Sequence, residues 1–88
     1  VDMIKLDVEG GELPALIGAQ QTLRRSSPAI IVEIGEETCI AAGYRMGDIL
    51  SFLQPYGYHF YRIERKGRLQ RIEASDLRKF QNVYCVRH

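Results

Sequence analysis

The feature that most constrains the fold is a strand, a turn, a helix and a second strand, predicted in that order within the first 34 residues. Residues 3–8 are mostly apolar and are followed by Gly10 and Gly11, which favour a turn. From Glu12 onward, apolar residues fall on one helical face, and residues 29–34 form a second apolar run. A βαβ unit of this kind has a right-handed crossover that makes its two strands parallel.

The remaining sequence predicts a second step of helix and strand, and then a final strand. A helical repeat of apolar residues is formed by Met46, Ile49, Leu50 and Leu53. Residues 58–63 are aromatic and strand-like, whereas residues 36–43 fit either a short helix or an ordered loop. A turn at Lys66 suggests a hairpin, and residues 82–87 follow too closely for a crossover helix, which predicts an antiparallel strand. Gly18 inside the first helix suggests close packing of that helix on the sheet.

These elements predict an α/β fold with three parallel strands, an antiparallel final strand and helices packed on the faces of the sheet. Residues 1–88 would form a single domain, because 88 residues with 45% hydrophobic content suffice for one core and exclude disorder. No apolar run approaches the ~18 residues of a membrane span, so no membrane partner is expected. Two cysteines are too few for a disulfide scaffold, which favours a cytoplasmic location.

The charges divide unevenly along the chain. Residues 1–44 hold 3 basic and 7 acidic side chains, whereas residues 45–88 hold 9 basic and 4 acidic ones. The basic half fits a solvated hairpin better than a polyanion site, because the sequence around Arg65, Lys66, Arg68 and Arg71 has no pattern of interleaved aromatic residues and glycines that would make a phosphate cradle. No nucleic acid is therefore expected as a partner.

Carboxylates follow both strands of the predicted βαβ unit. Asp7 and Glu9 lie at the end of the first strand, and Glu33 lies near the end of the second. In open α/β sheets, ligands bind beyond the carboxyl ends of the strands, and burying carboxylates there is costly unless they are solvated, hydrogen-bonded or used on a ligand. Asp7, Glu9 and Glu33 are therefore the candidate catalytic residues. No histidine has a partner at metal-ligand spacing, so no metal site is predicted.

Each of these residues also has a structural alternative. Glu12 suits the positive end of a helix dipole, and Glu9 could cap the same helix. Lys5 and Asp7 lie on the same face of the strand and could form an ion pair. Gly10 permits close approach of a ligand to the backbone, or it serves an ordinary turn.

One combination of motifs resembles the C-terminal half of the FkbM family of S-adenosylmethionine-dependent methyltransferases. It consists of residues 4–13, a Leu-x-Gly-Ala step at Leu16, then Leu23, Pro28 and residues 30–34 ending Glu-Ile. A single Asp-Val-Glu-Gly would be weak, but these elements at these spacings are specific in combination.

The resemblance implies a Rossmann-like methyltransferase sheet, of which this chain would supply the fourth to seventh strands. The seventh strand would insert antiparallel between the fifth and the sixth. The resemblance also implies S-adenosylmethionine as the cofactor, with Asp7 and Gly10 near it and the main glycine-rich binding loop upstream of residue 1. The chain would then be the C-terminal part of a methyltransferase domain and inactive alone. The methyl acceptor would be a hydroxyl on a small molecule or glycan.

Other readings stay open at this point. A non-catalytic α/β interaction module with an acidic rim would have the same strand-end carboxylates. A carboxylate-based hydrolase or metal-dependent phosphatase ranks last, because the sequence lacks a nucleophile motif and a clear ligand set. The first strand is also expected to leave an exposed edge through which the chain could self-associate.

Overall fold

The computed structural model describes residues 3–87. These residues form a five-stranded mixed sheet with helices between its strands. Its strands are β1 (Met3–Leu6), β2 (Ala29–Gly35), β3 (Tyr58–Ile63), β4 (Leu69–Ile72) and β5 (Phe80–Arg87). They lie side by side in the order β1-β2-β5-β3-β4, which puts β1 and β4 at the two edges. β1 pairs with β2 in parallel, and the other three pairings are antiparallel.

The prediction of three parallel strands is therefore correct only in part. β5 lies between β2 and β3 and is antiparallel to both, so β3 runs in the direction of β2 without pairing with it. This is the insertion that the FkbM resemblance implied. The hairpin predicted at Lys66 is confirmed, because β4 pairs antiparallel with β3 across the short turn at Arg65–Gly67, although the predicted fold class did not count β4.

Four helices connect the strands: α1 (Glu12–Gly18), α2 (Gln20–Ser26), α3 (Glu36–Ala41) and α4 (Met46–Leu53). The single helix predicted after β1 is wrong, because Ala19 (φ −97°, ψ 14°) leaves the helical conformation and separates α1 from α2. The prediction that Gly18 allows close packing of this helix on the sheet is also wrong. Gly18 is exposed, and a Cβ at this position would meet nothing within 4 Å. Among residues 3–87, no helix is long and apolar enough to cross a membrane.

The core lies between the helices and one face of the sheet. Alternate residues of the central strands, including Ile30, Val32 and Val83, are buried with Leu16 of α1 and Leu53 of α4. The intervening residues of the same strands face the other way and are only half-buried or exposed. Period-two burial along β2, β3 and β5 thus distinguishes a helix-covered face from an open face.

Candidate active site

The parallel pairing of β1 and β2 brings two of the predicted carboxylates together. Leu6 pairs with Val32, so the next residues, Asp7 and Glu33, are neighbours where the strands end. Asp7 is exposed and Glu33 is half-buried, and the Asp7 carboxyl group is close enough to raise the pKa of Glu33. The prediction that these side chains share one end of the sheet is confirmed. We call this end, formed by the last residues of β1, β2 and β3, the carboxyl end of the sheet.

The electrostatics of this pair favour a shared proton or a bound cation. Partial burial raises the pKa of Glu33 above its ordinary value, and the Asp7 carboxylate raises it further, with smaller effects from Glu12 and Glu9. Two neighbouring carboxylates resist ionising together, because the second charge must form beside the first. At neutral pH, the part of the carboxyl end formed by β1 and β2 therefore holds an excess of negative charge.

Replacing Asp7 by asparagine is expected to lower the pKa of Glu33 towards that of an ordinary glutamate, because the repelling charge is removed. A carboxyl group whose folded-state pKa is raised contributes stability below its unfolded pKa and loses that contribution as the pH rises through the folded value. The Asp7→Asn variant should therefore be the more stable protein at neutral pH, and the difference should vanish in acid. NMR titration of the Glu33 carboxyl carbon and thermal unfolding across pH measure both effects.

The matched control is Glu37→Gln, which removes one exposed charge from α3. Glu37 is not among the groups that shift the Glu33 pKa. Identical Glu33 titration curves in the natural protein and the Asp7→Asn variant would contradict the proposed coupling.

Glu12 holds the turn that follows Asp7. This residue is only 1% exposed, and its carboxylate accepts hydrogen bonds from the Val8 N–H at 3.0 Å and the Gly10 N–H at 2.9 Å. It is also the first residue of α1, as its helix-dipole interpretation requires. Glu12 has a second role, which is to accept hydrogen bonds from two backbone N–H groups of the turn. The sequence analysis did not predict this role, although an acidic residue directly after Gly-Gly was a signal for it.

The hydroxyl group of Tyr44 also stabilises this turn. It donates to the Gly10 carbonyl at 2.7 Å and accepts a longer hydrogen bond, 3.4 Å, from the Leu13 N–H. Burial raises the pKa of Tyr44 to about 12, so the phenol keeps its donor proton at neutral pH. Nothing in the local sequence indicated Tyr44, because it lies 34 residues from the carbonyl it binds.

The conformation of the turn also depends on the glycine at position 10. Its φ is +100°, and a Cβ at this position would lie 2.7 Å from the Thr38 carbonyl oxygen of α3. Its N–H and C=O groups are already bonded to Glu12 and Tyr44. Gly10 is therefore required by the shape of the turn, and its direct contact with a cofactor stays a prediction.

The structural alternatives suggested for Glu9 and Lys5, a helix cap and an ion pair, are both wrong. Glu9 has a left-handed backbone (φ 43°) and does not cap α1, whose N-cap is Gly11 without a side-chain hydrogen bond. Lys5 and Asp7, both described, form no ion pair within 4 Å. Glu9 is exposed beside the Asp7–Glu33 pair, and its catalytic role stays a prediction.

The fold and the site define an α/β protein with neighbouring carboxylates at the carboxyl end of its sheet, the end at which open α/β sheets bind ligands. Within residues 3–87, no group of three or more His, Cys, Asp or Glu side chains is arranged to hold a metal ion. Comparison with known proteins then gives the family.

The chain matches the model of the methyltransferase FkbM domain over residues 1–60, which extends from before β1 into β3. It therefore belongs to the FkbM family of methyltransferases, and the resemblance in its sequence is confirmed. Membership of this family indicates methyltransferase activity. No curated protein and no solved structure matched the chain.

Proposed function

We propose that this protein methylates a hydroxyl group of a small molecule or glycan, with S-adenosylmethionine as methyl donor and Asp7 at the acceptor hydroxyl. One observation carries the proposal: Asp7 and Glu33 interact at the ends of two adjacent parallel strands, where α/β sheets bind ligands. In a methyltransferase, two interacting carboxylates at this place are suited to take up the proton that a hydroxyl acceptor must lose.

The carboxyl end of the sheet suits a cationic methyl donor. Its carboxylates repel each other, as the raised pKa of Glu33 reports, and a positive charge nearby would relieve that repulsion. Asp7 and Gly10 are the residues that we assign to the cofactor side. When bound, S-adenosylmethionine supplies a methyl group on a positively charged sulfur.

Asp7 and Glu33 would handle the acceptor's proton. As the acceptor oxygen forms its bond to the methyl carbon, the carbon–sulfur bond breaks and the hydroxyl proton must leave. Asp7 accepts a hydrogen bond from the hydroxyl and orients its oxygen, and the carboxyl pair takes the proton. Glu33 holds a proton more readily than an ordinary glutamate, because its pKa is raised.

Glu12 and Tyr44 would serve as positioning residues. They hold the turn that directly follows Asp7, through hydrogen bonds to Val8, Gly10 and Leu13. A rigid turn would keep the Asp7 carboxylate in position beside the acceptor. This matters because small displacements of a reacting group slow the reaction considerably.

Calorimetric titration of the full-length protein with S-adenosylmethionine tests the proposal, together with transfer of a labelled methyl group to hydroxyl acceptors. We expect saturable heat on binding and label in an ether product. The competing interpretation, a non-catalytic interaction module, predicts neither heat nor transfer. Binding without transfer to any hydroxyl acceptor, and transfer to nitrogen or carbon instead, would overturn the O-methylation assignment.

A further inference from the structure

An arginine-lined cavity lies at the hairpin between β3 and β4. Its volume is about 350 Å³. It is lined by Glu64, Arg65, Arg68, Leu69, Gln70 and Arg78. We call it the hairpin cavity. Three guanidinium groups and a single carboxylate make its lining strongly cationic.

The single carboxylate of the hairpin cavity is already paired. Glu64 Oε1 lies 3.2 Å from Arg62 Nε and 3.3 Å from Arg78 Nη1. Arg65 and Arg68 are exposed, and neither forms an ion pair with any residue between 3 and 87. Two guanidinium groups therefore face the cavity region with no protein carboxylate to neutralise them.

The strand order places the hairpin cavity at the same end of the sheet as the Asp7–Glu33 pair. Glu33 pairs with Asn82 of β5, and the pairing of β5 with β3 ends at Val83 and Arg62, one residue before Ile63. Glu33 and Ile63 are thus two strand spacings apart, roughly 10 Å, and β4 is one spacing further. The carboxyl end of the sheet is acidic at β1 and β2 and basic at β3 and β4.

Protection of an edge strand explains only part of this pattern. β4 lies at an edge of the sheet, and basic residues on edge strands keep them from pairing with other chains. That role is met by cations anywhere along the strand, such as Arg71, which lies over the Tyr61 ring. It does not require arginines to converge on one cavity. Arginine, unlike lysine, presents a planar fork that binds phosphate and carboxylate groups through paired hydrogen bonds.

We propose that the methyl acceptor is an anionic hydroxyl compound whose phosphate, sulfate or carboxylate group is bound by Arg65 and Arg68. Its hydroxyl would lie at Asp7, so the acceptor spans about three to four strand spacings, roughly 14–19 Å. This inference rests on the proposed function for the hydroxyl end, but the anion end binds independently of methyl transfer. The hairpin lies beyond residues 1–60, the part that matches the family model.

The test measures the binding of inorganic phosphate to the full-length protein by NMR, at constant ionic strength, from the amide shifts of Arg65 and Arg68. The double variant Arg65→Gln/Arg68→Gln should bind phosphate at least about tenfold more weakly, because charge-assisted hydrogen bonds are lost. The matched control, Arg24→Gln/Arg25→Gln, removes two exposed arginines from the last turn of α2, before the start of β2. Equal affinity in the Arg65→Gln/Arg68→Gln variant, or equal weakening in the control, would overturn the proposal.

Further measurements identify the source of the anion and separate this proposal from the proposed function. A sugar phosphate, a sugar sulfate and a uronic acid, each with its neutral sugar, show which group is bound. The Asp7→Asn variant should keep its phosphate affinity, so phosphate binding without methyl transfer to any hydroxyl would refute the proposed function alone. Undiminished transfer to an anionic acceptor by the Arg65→Gln/Arg68→Gln variant would refute this proposal alone. An oligonucleotide that binds the hairpin far more tightly than any sugar anion would replace it with a polyanion site.

Discussion

Asp7→Asn is expected to slow methyl transfer by about 10²- to 10⁴-fold at saturating acceptor, the range typical for loss of a positioned general base. Asparagine keeps the size of the side chain but cannot take up the acceptor's proton. Glu33 alone would not replace it, because without Asp7 its pKa should return towards that of an ordinary glutamate. The effect should fall on kcat more than on KM, as measured by steady-state kinetics with a labelled methyl donor.

Loss of the fold does not explain such a result. Asp7 is exposed, and removing its charge relieves a repulsion, so the variant should be at least as stable as the natural protein at neutral pH. Glu37→Gln removes one negative charge from the neighbouring α3 and should leave kcat unchanged. Turnover at the natural rate in the Asp7→Asn variant would return Asp7 to a purely structural role.

Glu12→Gln should lower the free energy of unfolding by about 1–3 kcal/mol, because the amide nitrogen of glutamine would face a backbone N–H that now has a carboxylate acceptor. Glu12 is 1% exposed, so water cannot replace the missing acceptor without opening the turn. A loss of this size is a large fraction of the stability of a small domain. Urea unfolding followed by circular dichroism measures it.

The same exposed residue, Glu37, is the control for stability. Both glutamates lie in the first turn of a helix, but Glu37 is exposed, and Glu37→Gln should change stability by no more than about 0.5 kcal/mol. Equal losses in the two variants would mean that the helix dipole accounts for Glu12 and that its contacts with the turn add nothing. A loss confined to Glu12→Gln, with slower methyl transfer as well, would support its positioning role.

The local sequence was sufficient to find most of the strands. Residues 29–34 and 58–63 correspond to β2 and β3, because an apolar or alternating run between turn residues is a property of the strand itself. The first strand ends at Leu6, two residues before its predicted end at Val8, because the turn held by Glu12 begins there. The break at Ala19 was missed, although Gly18, a poor helix former, lies directly before it.

The direction of β3 was also predicted correctly from the local sequence, but the local sequence did not predict that β5 lies between β2 and β3. A βαβ connection determines that β3 runs with β2, whereas the sequence of β3 does not say which strand lies between them. The resemblance to the FkbM family supplied that position for β5. The three predicted parallel strands do run in one direction, but only β1 and β2 pair in parallel, because the inserted antiparallel strand replaces a parallel pairing with two antiparallel ones.

By itself, the sequence determined that Asp7 and Glu33 meet at the carboxyl end of the sheet. The reason is that the two strands belong to one βαβ unit, and their register follows from an apolar pattern that lies within it. Only the tertiary structure decided that Tyr44 fastens the turn after Asp7 and that the hairpin cavity opens at the same end. Both depend on contacts between segments far apart in the chain, which packing and strand order create and no local pattern records.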